Sequence, residues 1–160
     1  MEIAMIDERF MQLAIEKAME GIEKGQAPFG AVIARGDEVV SCRHNEVWQK
    51  NDPTAHAEIL AISETCQKLG AIDLSDCTIY STCEPCPMCF AAIHWARIPH
   101  IVYGARIDDV RDLGFRELPI SNRRLNHLAQ SNIKITWDFM REQNLEILHK
   151  WTSREDARQY

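Results

Sequence analysis

The chain carries His56-Ala57-Glu58 and, further along, Pro85-Cys86-Pro87-Met88-Cys89. One imidazole and two thiols make a three-ligand set for zinc, with the fourth tetrahedral position left to water. Glu58, two residues beyond His56, is placed to handle that water's protons. The set implies metal-assisted hydrolysis by an activated water.

The spacing suits the task. Both motifs read as loop-to-helix entries, where unpaired N–H groups and the helix dipole lower a thiol's pKa and favour the thiolate that zinc requires. Cys86 and Cys89 are three apart, so they share one face of a first turn and can grip one ion. Pro85 and Pro87 stiffen that entry, where prolines are tolerated. His56 is expected in the first turn of its own helix, with Glu58 about 200° around it. The histidine then reaches the ion while the carboxylate reaches past it to the water. Glu58 is read as the base that takes the water's proton and passes protons on to the substrate.

A structural ion is the plainer alternative, and it would require a fourth protein ligand. Cys83 is the one candidate, and its place at a strand end predicts packing beside the site instead. Cys42, Cys66 and Cys77 fall in apolar patterns and are expected in the core. His44, His94, His100, His127 and His149 have no comparable spacing and receive no role.

The elements that must position these residues follow from periodicity and turn chemistry. An amphipathic helix is predicted over 7–24, with Phe10, Ala14, Ala18 and Ile22 on one face and Gly25 as its stop. Strands over 29–35 and 38–43 flank a Gly36-Asp37 hairpin turn. The turn at 51–54 leads into a helix capped by Asp52 or Thr54 and ended by Gly70. A strand over 77–82, a helix over 85–97 closed by Pro99, and a strand over 100–105 come next. The stretch 106–132 yields only one short helix, about 122–130. A last strand is predicted over 133–137 and a last helix over 138–151. Successive strand-helix-strand crossovers imply parallel pairing, with helices on both faces of a mixed sheet of about five strands.

At 160 residues the chain is expected to be one domain with room for a proper core. No apolar run approaches the roughly 20 residues of a membrane span. The first ten residues mix Glu2, Asp7 and Glu8 with apolar side chains and lack the pattern of a leader, so the expected location is the cytoplasm. With 18 basic and 24 acidic residues the net charge is −6, which disfavours a surface built to hold a nucleic-acid backbone. Thiols in such a chain are read as metal ligands or buried groups, not disulfides.

His-x-Glu followed by Pro-Cys-x-x-Cys is the signature of zinc deaminases. Through it the chain resembles the cytidine deaminase-like superfamily, and the Cys83 to Cys89 run together with Trp95 narrows the resemblance to the small bacterial guanine deaminases. The matched segments are Pro28 to Val32, Asn51 to Glu58, Cys83 to Cys89 and Trp95-Ala96-Arg97. The resemblance implies a three-layer α/β/α sandwich around a mixed five-stranded sheet, a zinc cofactor, a homodimer and a purine substrate. It also implies that Phe29 packs on the purine ring, that Asn45 and the Ala57 backbone hydrogen-bond the base, and that Trp95 lines the pocket. In that family a C-terminal segment, here about 138–160, crosses to the neighbouring subunit and ends in a tyrosine, which matches Tyr160. An acidic residue after a Gly-Phe pair assists the proton traffic there. Gly114-Phe115 is followed by Arg116 and Glu117, so Glu117 takes that role with a side chain one methylene longer than the family's aspartate.

The leading expectation is therefore deamination of guanine to xanthine and ammonia, with guanosine, a triazine or a pyrimidine as nearby variants. The main rival is deamination of adenosine in a transfer RNA. Such enzymes generally carry a basic C-terminal helix, whereas here 137–160 holds Asp138, Glu142, Glu146, Glu155 and Asp156 against Arg141, Lys150, Arg154 and Arg158. A zinc-stabilised interaction module without catalysis would leave Glu58 without a purpose.

Overall fold

A computed structural model describes residues 5–160; the first four residues of the N-terminal stretch read above lie outside it. The first helix, α1 (Glu8–Glu23), starts where Asp7 accepts the Arg9 amide at 2.8 Å. Phe10, Ala14, Ala18 and Ile22 are all buried on its inner face, as their spacing predicts. Gly25 then turns the chain at φ 75°.

Strands β1 (Gly30–Arg35) and β2 (Glu38–His44) form the expected antiparallel hairpin. Gly30 is required by packing, because a Cβ there would lie 2.2 Å from the Ala14 carbonyl oxygen. The α1 backbone thus rests directly on the start of β1. A single helical turn, α2 (Val47–Lys50), follows and ends at Asn51 with φ 49°. It is too short to leave a periodic signal.

Helix α3 (Ala57–Leu69) begins later than the sequence suggests. Asp52 does not cap it; its Oδ1 accepts from the Thr54 amide at 2.8 Å and the Thr54 hydroxyl at 2.6 Å, closing the preceding turn instead. His56 occupies the cap position, and Gly70 ends the helix in the left-handed region as expected. Strand β3 (Cys77–Cys83) leads to α4 (Pro87–Trp95), with Cys86 at the cap and Pro87 in the first turn. Arg97, at φ 60°, turns the chain out of α4 before Pro99 is reached. Strand β4 (His100–Ala105) has the predicted bounds.

The hard-to-read stretch contains α5 (Ile107–Asp112), which the sequence reading missed, and α6 (Asn122–Leu128). Strand β5 (Lys134–Thr136) and α7 (Arg141–Thr152) complete the chain. Both are shorter than predicted; Asp138 and Met140 take positive φ between them and delay the helix.

The sheet order is β2-β1-β3-β4-β5. The first three strands pair antiparallel and the last three parallel, so the sheet is mixed and five-stranded. Alternation along β1 feeds two cores. Val32 and Ala34 join Phe10, Ala18, Ile147 and Trp151 under α1 and α7. Ala31 and Ile33 join Ala61, Phe90, Ile93 and Ile101 under α3 and α4. Helices therefore cover both faces in three layers. No helix among the described residues is long and apolar enough to cross a membrane.

Candidate active site

The N-termini of α3 and α4 converge beyond the carboxyl end of β3, where open α/β sheets offer their ligand crevices. His56 and Cys86 are the two cap residues, both with extended backbone, so their side chains turn across the helix ends toward each other. His56 Nδ1 lies 3.6 Å from Cys86 Sγ and 3.5 Å from Cys89 Sγ. The three ligand atoms all fall within 4.8 Å of one another. With ordinary Zn–N and Zn–S bond lengths, the tetrahedral N–S edge is about 3.6 Å. The donor set, its soft-ligand chemistry and its spacing all fit zinc.

Among these side chains Cys86 is the readier thiolate. The hydrogen bond it shares with Cys89, together with His56, pulls its pKa down to about 4, while donating that bond and burial push Cys89 well up. A bound divalent cation holds both as thiolates. Cys83 does not join the set: it is buried, and its Sγ approaches the Arg106 carbonyl at 3.7 Å. Among the described residues three ligands and not four come together, which is the composition of a catalytic centre.

Glu58 sits in the first turn of α3, only 6% exposed. The Ser81 hydroxyl donates to its Oε1 at 2.8 Å, and its Oε2 lies 3.6 Å from Cys89 Sγ. Burial raises its pKa above the usual carboxylate value. His56 and Glu58 do not diverge in one turn as the sequence reading supposed, because His56 lies ahead of the helix with non-helical dihedrals.

The other expected residues separate into two groups. Asn45 is fully buried; its Oδ1 accepts the Val47 amide at 3.1 Å, which leaves Nδ2 aimed at the Tyr160 hydroxyl 2.7 Å away. Phe29 packs edge-on against Phe115 with centroids 5.3 Å apart. Ala57 starts α3, where its N–H belongs to the helix-end donors without intrahelical partners. A cavity of about 20 Å³, water-sized, is bounded by Phe29, Asn45, His56, Glu58 and Glu117. An outer cavity of about 350 Å³ shares His56, Cys86 and Glu117 and is walled by Tyr160 and Leu118. Burial beside the Cys86 sulfur raises the Glu117 pKa to about 7.

Trp95 is the exception. It ends α4 with 82% of its surface exposed, and it lines neither cavity. Cys86 and Trp95 stand at opposite ends of the same helix, so a residue at the far end cannot face the cluster of its own chain.

The C-terminal segment lies against the sheet and the metal site. Helix α7 packs on β4 and α1, and the Arg116 amide donates to the Tyr160 carbonyl at 3.2 Å. The Tyr160 ring stands 5.8 Å from His56 and 5.4 Å from Phe115, centroid to centroid. Arg158 lies over the Trp48 ring at 4.1 Å. Sequence reasoning missed Ser81 and Trp48, which reach the site through distant contacts and carry no local signal, and used Phe115 only as the marker that precedes Glu117.

Comparison with known proteins agrees with this geometry. Residues 5–105 match the family described as cytidine and deoxycytidylate deaminase zinc-binding region. The chain is 46% identical over 112 residues to the guanine deaminase of Bacillus subtilis (strain 168), covering 69% of this chain and 72% of that one. It is 43% identical over 98 residues to the tRNA-specific adenosine deaminase of Aquifex aeolicus (strain VF5), covering 61% and 65%. The solved structure of guanine deaminase from Nitrosomonas europaea superposes with a TM-score of 0.86 at 29% identity, covering 96% of this chain and 88% of that one. The three-ligand centre, the buried glutamate beside it and the sheet that carries both are thus those of a deaminase, and the chain belongs to the cytidine and deoxycytidylate deaminase zinc-binding family.

Proposed function

We propose that the chain is a zinc-dependent guanine deaminase, converting guanine and water to xanthine and ammonia. The observation that carries this reading is the Asn45–Tyr160 hydrogen bond. Tyr160 stands over the metal site, and a site covered in this way suits a small free base better than a nucleotide held in a folded RNA. The relatives from Bacillus subtilis and Nitrosomonas europaea support the same substrate.

His56, Cys86 and Cys89 would hold zinc, which supplies the Lewis acidity that makes water a nucleophile at neutral pH. Glu58 takes the water's proton at Oε2, its Oε1 being fixed by Ser81. The water's oxygen bonds to the ring carbon while Glu58 passes the first proton to the adjacent ring nitrogen. Glu58 then takes the proton of the new hydroxyl and delivers it to the departing amino nitrogen, so that the C–N bond breaks, ammonia leaves and the carbonyl of xanthine remains. Asn45 Nδ2 and the Ala57 N–H orient the base by hydrogen bonds, and Phe29 packs on its ring. Glu117, with its pKa near 7, exchanges protons at the same face of the site. Tyr160 covers the bound base and keeps bulk water out.

The protein is proposed to act in the cytoplasm as a homodimer. Six free thiols support the first statement. Exposed Trp95 and Ile72, each 82% exposed, support the second. In a dimer Trp95 would face the partner and not its own pocket.

The Aquifex aeolicus relative favours a second reading, deamination of adenosine in transfer RNA. The deciding experiment is an ammonia-release screen of zinc-loaded protein on guanine, guanosine, adenine, cytosine, cytidine, triazines and a transfer-RNA anticodon stem-loop, with Glu58→Gln as control. Guanine is expected to lead guanosine by about a hundredfold in kcat/KM. Release from the stem-loop with none from guanine would reverse the order of the two readings.

A further inference from the structure

The residue before Pro85 has no part in the chemistry above, yet its carboxylate is buried and fully engaged. Glu84 is 6% exposed. Its Oε2 accepts the Ile107 amide at 3.2 Å and its Oε1 accepts the Asn122 amide at 2.8 Å. Those amides open α5 and α6, and both belong to the helix-end donors that lack intrahelical partners. One side chain therefore ties two helix starts to the end of β3. The Glu84 amide in turn donates to the Ala105 carbonyl at 2.8 Å, continuing the β3–β4 pairing past the strand.

Asn122 completes the brace. It is fully buried, and its Nδ2 donates to the Pro85 carbonyl at 2.5 Å. That oxygen belongs to the peptide joining Pro85 to Cys86, so the hydrogen bond fixes the plane from which Cys86 projects. Cys86 Sγ must sit within a few tenths of an ångström of its place, 3.6 Å from His56 Nδ1, to share one ion. The loop between β3 and α4 is short and ends in prolines on both sides of Cys86. Nothing within it supplies a partner for the Pro85 carbonyl; α6 does.

We propose that Glu84 and Asn122 are positioning residues for the zinc ligand Cys86, holding the Pro85–Cys86 peptide from the starts of α5 and α6. The stretch between β4 and β5 thereby acts on the metal centre without supplying a ligand. This rests on the zinc reading of the cluster and is independent of which base is the substrate.

The test uses the full-length protein with Glu84→Gln, which keeps the volume but sets a carboxamide NH2 against one of the two backbone N–H donors, and Asn122→Ala, which removes the clasp. Zinc affinity is measured by competition with a chromophoric chelator, and the cobalt(II)-substituted protein is followed by its visible absorption. Both variants are expected to bind zinc about 10- to 100-fold more weakly. Their cobalt bands are expected to shift or broaden while circular dichroism stays that of the wild type. Should Asn122→Ala fail to fold, Glu84→Gln decides alone. Wild-type affinity and an unchanged cobalt spectrum in a folded variant, even one with a lowered melting temperature, would overturn the proposal by showing a structural role only. A wild-type protein that binds no zinc would sink the zinc reading itself, and the brace with it.

Discussion

Ser81 and Glu58 meet through one short contact: the Ser81 hydroxyl, on β3, donates to Glu58 Oε1 at 2.8 Å, inside the core of the molecule. The strand thereby decides which carboxylate oxygen is free. Oε2 is left beside Cys89, at the edge of the ligand set.

Replacing Glu58 with Gln tests its proposed role as proton carrier and keeps the shape. Turnover is expected to fall by at least about a thousandfold, with zinc content unchanged at one ion per chain by metal analysis. Substantial residual turnover in a zinc-loaded Glu58→Gln protein would mean that another group carries the proton.

Ser81→Ala tests the orientation directly. Its hydroxyl lowers the Glu58 pKa against the larger upward push of burial, so its loss raises that pKa further. A base must be ionised to act, and the acid limb of the kcat profile should therefore move to higher pH. A loss of about tenfold in kcat at neutral pH is expected, with little change in KM. An unmoved acid limb would show that Ser81 only packs.

Tyr160→Phe removes the hydroxyl that meets Asn45 and keeps the ring that packs on His56 and Phe115. KM for the base is expected to rise by about three- to tenfold, the worth of one hydrogen bond, while zinc content and melting temperature hold. Deletion of residues 158–160 should cost more, because it also removes the Arg158 contact with Trp48. Unchanged steady-state constants in the deletion would exclude the tail from the catalytic cycle.

Removal of the ion should abolish activity reversibly. Dialysis against a chelator at pH 7 is expected to leave no turnover, and one equivalent of zinc should restore it. The melting temperature should fall in the stripped protein, since the ion ties α3 to α4. Full activity after verified metal loss is the outcome that contradicts the site.

His100 gives a stability prediction separate from catalysis. Burial in β4, with Lys134 nearby, pushes its pKa down to about 4, and its Nε2 lies 3.0 Å from the Thr136 hydroxyl. The unfolded chain takes up this proton first, so stability present above about pH 6.5 is lost as pH falls toward 4. Between pH 7.5 and pH 5 the loss is about 2 kcal/mol. Urea midpoints of wild type and His100→Gln at the two pH values measure it; the variant should lose less, and equal losses would assign the effect elsewhere.

Much of this molecule is legible locally. The apolar spacing along α1, the Gly36-Asp37 turn and the left-handed Gly70 each act within a few residues, and each appears where the sequence places it. The short helices α2 and α5 do not, because one or two turns leave too little periodicity to read. The zinc ligands are legible for the same local reason: a cysteine pair three apart and a histidine at a helix entry are set by chain geometry alone.

The sequence by itself determined the donor set, the carboxylate beside it and the class of sheet that carries them, since residue type and near spacing suffice for all three. The tertiary structure decided what completes the site. It brought Tyr160 to Asn45 across 115 residues, Ser81 to Glu58 across 23 and Asn122 to Pro85 across 37, and it turned Trp95 outward. These pairings depend on how helices and strands stack on one sheet. No local preference of the chain encodes that stacking; the burial of two cores, one on each face, selects it.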